Sequence, residues 1–353
     1  MHISEIDKNL RVEETVRMDD IVWRPADSAE FRIYGCCSVT PFRRLPKETA
    51  DNTNDGVSLL ATNTAGVRLR LRTDSPYVAI HAEWGAQCCF SHMAGTGVSG
   101  FDMYRLRDEK HEFVGTFVPP FNCPHGYENM LRTPGGMQDI IIDFPLYNDV
   151  DKLFIGVSDK ALFETPAWYG RRVPVVYYGS SITQGGCASR PGNSYQAMLS
   201  RALDCDYINL GFSGSAKGEQ IIARYIAGLE MSAFVFDYDH NAPDAEHLAR
   251  THEPFFLTVR EAHPDMPVII ISKPDVINVD PESERSFAVR RDIIRKTYEN
   301  ALSRGDKNVY FIDGASIFGD DPLRSCTVDT CHPTDLGFFR FFERLYPLLA
   351  KLI

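Results

Sequence analysis

The segment Val173-Pro174-Val175-Val176-Tyr177-Tyr178-Gly179-Ser180-Ser181-Ile182-Thr183 decides the fold of this chain. Its first six residues form an apolar run, which predicts a buried β-strand. The Gly-Ser-Ser that follows is typical of a tight turn at the end of a strand. A buried strand, a turn and then a helical pattern make up the repeating unit of a parallel α/β sheet.

Four more apolar runs follow this segment, and helical patterns separate them. The predicted strands are 173–178, 206–210, 232–236, 267–272 and 309–312, and the clearest predicted helices are 194–203, 288–303 and 336–349. Five apolar strands that alternate with helices indicate a five-stranded parallel sheet with helices on both faces. We therefore expect a three-layer, flavodoxin-like α/β domain, with its functional residues at the carboxyl ends of the strands.

The chain before residue 165 has a different pattern. Seven short segments, several of which alternate apolar with polar residues, predict strands at 58–62, 67–72, 77–82, 100–105, 113–118, 138–143 and 152–157. Short strands separated by turn residues are typical of an antiparallel sandwich or jelly roll. The sequence therefore predicts two domains, an all-β sandwich over residues 1–165 and the α/β domain over residues 166–353.

Composition excludes several classes of partner. The net charge of −11 argues against binding to nucleic acid or to an anionic membrane surface, because both select basic patches. No run approaches the ~18 apolar residues of a transmembrane helix, and residues 1–10 lack the apolar core of a signal peptide. The nine cysteines contain no Cys-x-x-Cys and suit a reducing compartment. We therefore expect a cytoplasmic protein.

A serine, a histidine and an aspartate stand where a nucleophile and its base are expected. Ser181 follows the first strand of the α/β domain, and a serine hydroxyl needs a partner base to act as a nucleophile. His332 lies in a non-periodic stretch before the last helix, and Asp329, three residues upstream, can orient its ring. The alternative is ordinary turn chemistry at Ser181, with Asp329 and His332 capping a helix that Thr334 or Asp335 can already cap.

Two loops at strand ends offer hydrogen-bond donors for an oxyanion. Gly214, after the second strand, can present a bare backbone N–H, and Asn241, after the third strand, can offer its side-chain amide. Each segment taken alone is also compatible with a loop that has no chemical role. All these loops lie on one edge of the predicted sheet, which favours a shared site.

The order of these blocks resembles the SGNH (GDSL-type) hydrolase superfamily. The order is Gly-x-Ser-Ile-Thr, Asn-x-Gly-x-Ser-Gly, an asparagine after the third strand, and Asp-x-x-His-Pro, and the resemblance covers residues 172–353. It implies a serine esterase in which Ser181 is the nucleophile and His332, oriented by Asp329, is the base. It also implies that Gly214 and Asn241 complete an oxyanion hole with the N–H of Ser181.

The chain departs from the superfamily pattern in two blocks. Ser180 stands where an aspartate is usual, and the third block reads Asp-His-Asn-Ala where Gly-x-Asn-Asp is common. Before these blocks, Gly100-Phe101-Asp102-Met103-Tyr104 resembles the Gly-x-Asp-Leu-Tyr motif of a β-sandwich domain fused to such hydrolases. Phe144-Pro145-Leu146-Tyr147-Asn148 is similar to another stretch of that domain.

The resemblance to two-domain relatives, which include carbohydrate acetyl esterases, implies the substrate class. We expect hydrolysis of short acyl esters, acetyl above all, carried by small molecules or oligosaccharides. One alternative is a short-chain acyl or thioester hydrolase, and another is a carbohydrate-binding protein with a relic active site. A homo-oligomer is left open.

Three further residues are candidates for substrate contact. Trp84 ends a sandwich strand and could stack on a sugar, or it could belong to the sandwich core. Lys217 could line the pocket or open the helix that follows. His240 could touch substrate or be an ordinary polar residue of its loop.

The proposed chemistry requires no metal and no organic cofactor. Cys326, Cys331 and His332 come nearest to a zinc-binding set, but no second pair of ligands has metal spacing. We therefore expect an ester substrate as the only ligand.

Overall fold

The structure is a computed structural model that describes residues 15–353, except 109, 275–280 and 320–324, together with residues 6, 7 and 12. The side chains of residues 281–286 also lie outside the description. Within these ranges an antiparallel, β-rich N-terminal domain precedes an α/β domain. The domain boundary at residue 165 stays a prediction.

The N-terminal domain contains two main antiparallel sheets. Its strands are β1 (Ile21–Pro25), β2 (Arg32–Tyr34), β3 (Ser38–Val39), β4 (Phe42–Arg43), β5 (Arg68–Thr73), β6 (Tyr77–Glu83), β7 (Phe101–Arg107), β8 (Lys110–Phe117), β9 (Gly126–Arg132), β10 (Gln138–Asp143), β11 (Lys152–Ser158) and β12 (Phe163–Glu164). One sheet has the order β1-β11-β6-β9; the other has the order β12-β5-β10-β7-β8, with β2 also paired to β5. Their apolar side chains share one core, for example Leu69 and Ile142 from one sheet with Ile80 and Ile155 from the other.

The predicted strand at 58–62 is wrong. The domain's helices are α1 (Lys47–Asp51), α2 (Asp55–Leu60) and α3 (Gly95–Val98), and the predicted strand overlaps α2. The side chain of Asn54 caps α2 by accepting the N–H of Val57 at 2.9 Å. The segment 58–62 contains only three apolar residues, which are too few for their period to distinguish a strand from a helix, and the cap decides between them.

The α/β domain contains the predicted parallel sheet. Its strands are β13 (Arg171–Gly179), β14 (Cys205–Gly211), β15 (Ala233–Asp237), β16 (Val268–Ile271) and β17 (Val309–Ile312), in the order β14-β13-β15-β16-β17. Its helices are α4 (Ser181–Gln184), α5 (Tyr195–Leu203), α6 (Gln220–Ala227), α7 (Ala245–Ala262), α8 (Pro281–Ser303) and α9 (Asp335–Leu352). None of the helices in the described ranges combines the length and the apolar character needed to cross a membrane.

Alternate residues of β13 enter two separate cores, as expected for a sheet that is covered on both faces. Val176 and Tyr178 pack with apolar residues of α6, α7 and α8, whereas Val175 and Tyr177 pack with those of α5 and α9. The strand order reverses at β13, which pairs with both β14 and β15. Gly179 is level with the last residues of both neighbours, so the loops after these three strands begin side by side.

Buried arginines of the N-terminal domain hold it against the α/β domain. Arg68 and Arg70 of β5 alternate with core residues as predicted, but they face the α/β domain, and both are buried. Arg68 forms an ion pair with Asp206 and donates to the carbonyl of Tyr207 at 3.0 Å. Arg70 pairs with Asp204 at 3.3 Å.

Arg44 connects the two domains through main-chain carbonyls. Its side chain is 1% exposed and donates to the carbonyls of Asn63 at 2.7 Å and Leu60 at 2.7 Å within its own domain. It also donates to Asn209 at 3.0 Å and Gly211 at 2.8 Å at the end of β14. Burial lowers the pKa of the Arg44 guanidinium to about 9, which leaves it charged at neutral pH.

The Gly-x-Asp-x-Tyr motif forms another contact between the domains. The fully buried Asp102 accepts hydrogen bonds from the N–H of Gly192 at 2.8 Å and from Arg190 at 2.8 Å, both in the α/β domain. Its other carboxylate oxygen accepts the hydroxyl of Thr116 at 2.7 Å. The motif therefore fixes the loop that leads from α4 to α5.

Candidate active site

Ser181 lies in a tight turn at the carboxyl end of β13. It is the first residue of α4, and it is 6% exposed. A Cβ at Gly179 would lie 2.0 Å from the carbonyl oxygen of Asp237, so only glycine fits where the turn begins. The hydroxyl of Ser180 accepts the N–H of Ile182 at 3.2 Å and caps α4, a role that an aspartate can also fill.

His332 and Asp329 meet Ser181 across the sheet edge. Nε2 of His332 lies 2.9 Å from Oγ of Ser181, and Nδ1 lies 2.7 Å from Oδ2 of Asp329. The other Asp329 oxygen accepts the main-chain N–H groups of His332 at 2.7 Å and Cys331 at 3.1 Å. Thr334, and not Asp329 or His332, caps α9. The three side chains form one hydrogen-bonded chain that can carry a proton away from the serine.

The hydrogen bonds at Asp329 keep it ionised. Partial burial by itself would raise the pKa of the Asp329 carboxyl, but the N–H and the ring of His332 hold this pKa below its usual value. An ionised Asp329 fixes the tautomer of His332, with its Nε2 lone pair toward the serine.

Three N–H donors lie in the loops at this edge of the sheet. Within the described residues, no acceptor lies within hydrogen-bonding distance of the main-chain N–H of Ser181 or of Gly214. Gly214 is exposed and has a φ of +64°, and a Cβ there would contact nothing. Asn241 ends the short 3₁₀ turn after β15, and its side-chain amide donates to the carbonyl of Phe212 at 2.8 Å.

The N-terminal domain contributes side chains that the sequence reasoning missed. The hydroxyl of Tyr147 donates to the carbonyl of Ser181 at 3.3 Å. The ring of Phe90 packs against Tyr147 with centroids 5.5 Å apart, and the ring of His92 lies 5.6 Å from that of His332. Tyr147 stands in a segment with a recognisable resemblance, but no sequence pattern distinguishes Phe90 or His92.

Trp84 lies in the sandwich core, which was the alternative to the predicted sugar contact. Its side chain is 3% exposed and donates to the carbonyl of Cys123 at 2.8 Å. The main-chain N–H of Lys217 donates to Glu219 at 2.9 Å, just before α6. The contacts described for Lys217 are thus those of a residue that opens a helix.

His240 lies beside the loop that carries His332. Its Nδ1 is 3.6 Å from Sγ of Cys331. Burial, together with the positive charges of Lys273 and Arg290 and the neighbouring His332, lowers the pKa of His240 to about 3. The ring is therefore neutral at physiological pH.

Asp237 is a buried acid at the end of β15. Among the described residues, neither carboxylate oxygen of Asp237 has a hydrogen-bond partner. Burial, and to a lesser extent the charge of Asp239, raises the pKa of Asp237 to about 8. The side chain is therefore mostly protonated at neutral pH, which no sequence pattern suggested.

The fold and the arrangement at this sheet edge define a hydrolase of the SGNH class. Residues 172–350 match the GDSL-like lipase/acylhydrolase family, and the chain belongs to this family. Residues 21–163 match the domain described as the N-terminus of SGNH-hydrolase-type esterases. The resemblance of both halves is thereby confirmed.

Solved structures share the whole two-domain fold. A protein of Bacteroides ovatus ATCC 8483 assigned as a GDSL-like lipase is 29% identical with a TM-score of 0.86, over 94% of this chain and 98% of that chain. The salicylyl-acyltransferase SsfX3 from a tetracycline biosynthetic pathway is 21% identical with a TM-score of 0.79, over 95% and 98%. A family two carbohydrate esterase from Clostridium thermocellum is 13% identical with a TM-score of 0.60, over 94% and 98%. No functionally curated protein matches the chain.

Proposed function

We propose that this protein is a serine esterase that removes short acyl groups, acetyl above all, from carbohydrate esters. One observation carries the proposal. Oγ of Ser181 lies 2.9 Å from Nε2 of His332, and Nδ1 of the same ring lies 2.7 Å from Asp329. These distances meet the geometric requirement for a nucleophile, its base and the group that orients the base.

The reaction begins with proton transfer from Ser181 to His332. The serine oxygen attacks the ester carbonyl, and His332 then gives this proton to the departing alcohol. An acyl group remains on Ser181. A water molecule, activated by the same histidine, releases the acid and restores the serine.

The negative charge that develops on the carbonyl oxygen needs donors that are already in place. We assign this role to the N–H groups of Ser181 and Gly214 and to the amide of Asn241. The two N–H groups have no acceptor among the described residues, and the bond from Asn241 to Phe212 holds its amide at the same edge. Tyr147 steadies the turn by its bond to the Ser181 carbonyl.

A carbohydrate ester is the substrate that we propose on the two-domain build. Structures named as family two carbohydrate esterases and an acetyl xylan esterase of Butyrivibrio proteoclasticus share this build at 13–14% identity. At this identity the likeness shows a shared fold, and one fold can serve several substrates. The substrate class is therefore tested separately.

A cavity of about 430 Å³ favours a second candidate, a hydrolase of apolar acyl esters or thioesters. Its lining is mainly apolar and includes Phe90, Met93, Val118, Pro120 and Phe121. Phe90 connects this cavity to the site, because its ring packs on Tyr147, which bonds to Ser181. The apolar lining suits an acyl chain longer than acetyl.

Initial rates with p-nitrophenyl acetate, butyrate and octanoate test the proposal. Wild type should prefer acetate, and Ser181→Ala and His332→Ala should each lower kcat by at least ~10³-fold with an unchanged circular dichroism spectrum. Ser303→Ala, which removes an exposed hydroxyl of α8, is the matched control and should keep the wild-type rate. A loss below tenfold in either active-site variant would refute the assignment.

Chain-length preference and acetylated oligosaccharides separate the candidates. Acetate release from acetylated xylo-oligosaccharides that disappears in Ser181→Ala supports the carbohydrate esterase. Preference for octanoate supports the second candidate. Oligosaccharide binding that persists in both proteins, with no turnover in either, would leave a binding protein with a relic site.

A further inference from the structure

A histidine, a cysteine and the proposed catalytic base converge on one point beside Ser181. Ligand atoms of His92, Cys187 and His332 all lie within 4.8 Å of one another. His92 belongs to a loop of the N-terminal domain and is exposed, whereas Cys187 is buried in the loop after α4. The Cys187 thiol faces the His92 carbonyl at 3.5 Å, which fixes the two segments together.

The separations suit a thiophilic divalent cation. Zinc–nitrogen bonds are about 2.0–2.1 Å and zinc–sulfur bonds about 2.3 Å, so ligand atoms of a tetrahedral site lie roughly 3.3–3.6 Å apart. Side-chain shifts of up to about 0.8 Å per atom would bring the three atoms from their present separations to these distances. Two imidazoles and a thiolate form a ligand set that zinc prefers and that magnesium does not.

The surroundings of His332 also suit metal binding. Its Nδ1 faces the carboxylate of Asp329 at 2.7 Å, which is the usual outer partner of a metal-bound histidine. Its Nε2, the atom left to bind a cation, faces Oγ of Ser181 at 2.9 Å. A cation held by Nε2 therefore takes the lone pair that would accept the serine proton.

We propose that Zn²⁺ binds His92, Cys187 and His332 and reversibly inhibits the enzyme; the inhibition rests on the proposed function. The Cys187 thiol loses its proton to the solvent as the sulfur–zinc bond forms, and each histidine contributes a nitrogen lone pair. Three protein ligands leave one position of a tetrahedral zinc ion for water. The metal opposes the reaction, so the reaction itself still requires no metal.

Zinc titration of the esterase rate tests the inhibition. With p-nitrophenyl acetate in a zinc-buffered solution, the wild-type rate should fall as free Zn²⁺ rises, should recover with EDTA, and should not respond to Mg²⁺. Cys187→Ser and His92→Gln should raise the half-inhibitory zinc concentration at least about tenfold, because loss of even an outer-shell partner costs 10- to 100-fold. Cys37→Ser, which changes an exposed thiol of the segment between β2 and β3, should keep the wild-type value.

A spectroscopic measurement tests the site without relying on turnover. Co²⁺ added to Ser181→Ala should give a thiolate-to-metal charge-transfer band that is absent from the Ser181→Ala/Cys187→Ser double variant. Equal bands in these two proteins, or equal zinc inhibition of wild type and Cys187→Ser, would overturn the proposed site. If no ester is turned over, the proposed function fails, and the band alone still decides whether the metal site exists.

Discussion

Replacement of Arg44 by methionine tests how strongly one side chain joins the two domains. Methionine keeps most of the length and removes all the donors, while the four carbonyl acceptors remain. Two of these carbonyls belong to Leu60 and Asn63, and two belong to Asn209 and Gly211 at the end of β14. The variant therefore leaves acceptors unpaired in both domains.

The expected loss of stability is about 3 kcal/mol. A hydrogen bond from a charged donor contributes about 1.5–3 kcal/mol net, and the desolvation of the buried guanidinium offsets part of that sum. Each acceptor left unpaired costs at least about 1 kcal/mol. Three carbonyls, those of Asn63, Asn209 and Gly211, lose their donor, whereas the Leu60 carbonyl still accepts the N–H of Asn63 at 3.2 Å. The expected loss is this lower limit of about 1 kcal/mol multiplied by the number of unpaired carbonyls.

Urea unfolding measures this loss with two signals. Two of the three tryptophans, Trp23 and Trp84, lie in the N-terminal domain, and Trp168 lies just before β13, so tryptophan fluorescence mainly follows the N-terminal domain. Circular dichroism near 222 nm also follows the helices of the α/β domain. We expect lower midpoints in both signals and a separation between them. Arg24→Met, which removes a half-exposed pair with Glu30, should change stability by less than about 1 kcal/mol. A loss below about 1 kcal/mol in Arg44→Met would refute the reasoning.

Three further changes test separate parts of the structure. Asn241→Ala should lower kcat on the order of 10²-fold if its amide serves the oxyanion, and an effect confined to KM would assign it to substrate positioning. Asp237→Asn should remove a pH dependence of stability: the folded acid keeps its proton up to about pH 8, whereas the unfolded acid loses it near its ordinary pKa of 3.8. Wild type should therefore lose up to about 1.4 kcal/mol of stability per pH unit between about pH 4 and 8 relative to Asp237→Asn, and equal slopes in urea unfolding would contradict this. Asp102→Asn should destabilise by about 3 kcal/mol, because Arg190 and the N–H of Gly192 lose a buried carboxylate, and an unchanged Tm would contradict this.

Matched surface variants control for the substitutions themselves. Asn52→Ala changes an exposed asparagine of the N-terminal domain and should leave kcat unchanged. Asp265→Asn changes an exposed aspartate of the α/β domain and should leave both the Tm and the pH slope as in wild type.

The parallel sheet could be predicted because its signal is local. Four of the five strands are mainly apolar runs, which burial on both faces of a parallel sheet produces, whereas the edge strand β14 contains Asp206 and Asn209 among its apolar residues. Ser181, His332 and Asp329 could be selected because they stand in recognisable blocks at strand and helix ends. Ser181 follows the end of β13, and Asp329 and His332 lie just before α9. In the structure these segments meet, and the three side chains are hydrogen-bonded to one another.

The missed features depend on contacts between segments far apart in the chain. The arginines of β5 alternate with apolar residues like those of a solvated sheet face, and only the neighbouring α/β domain makes that face buried. His92 has no local pattern, because its nearness to His332 results from how the two domains pack. The helix at Asp55–Leu60 was missed because its cap, Asn54, precedes an apolar run of ambiguous period.

The contact at Asp102 limits how this protein can be recombined. A chimaera that replaces the N-terminal half must supply a carboxylate side chain to pair with Arg190 and Gly192. It must also supply a long basic side chain that donates to the carbonyls of Asn209 and Gly211. A replacement N-terminal half without these groups would leave buried polar atoms unpaired next to the loop that follows Ser181. We therefore expect either half expressed alone to be less stable than it is in the full chain, because separation leaves these buried polar groups without their partners.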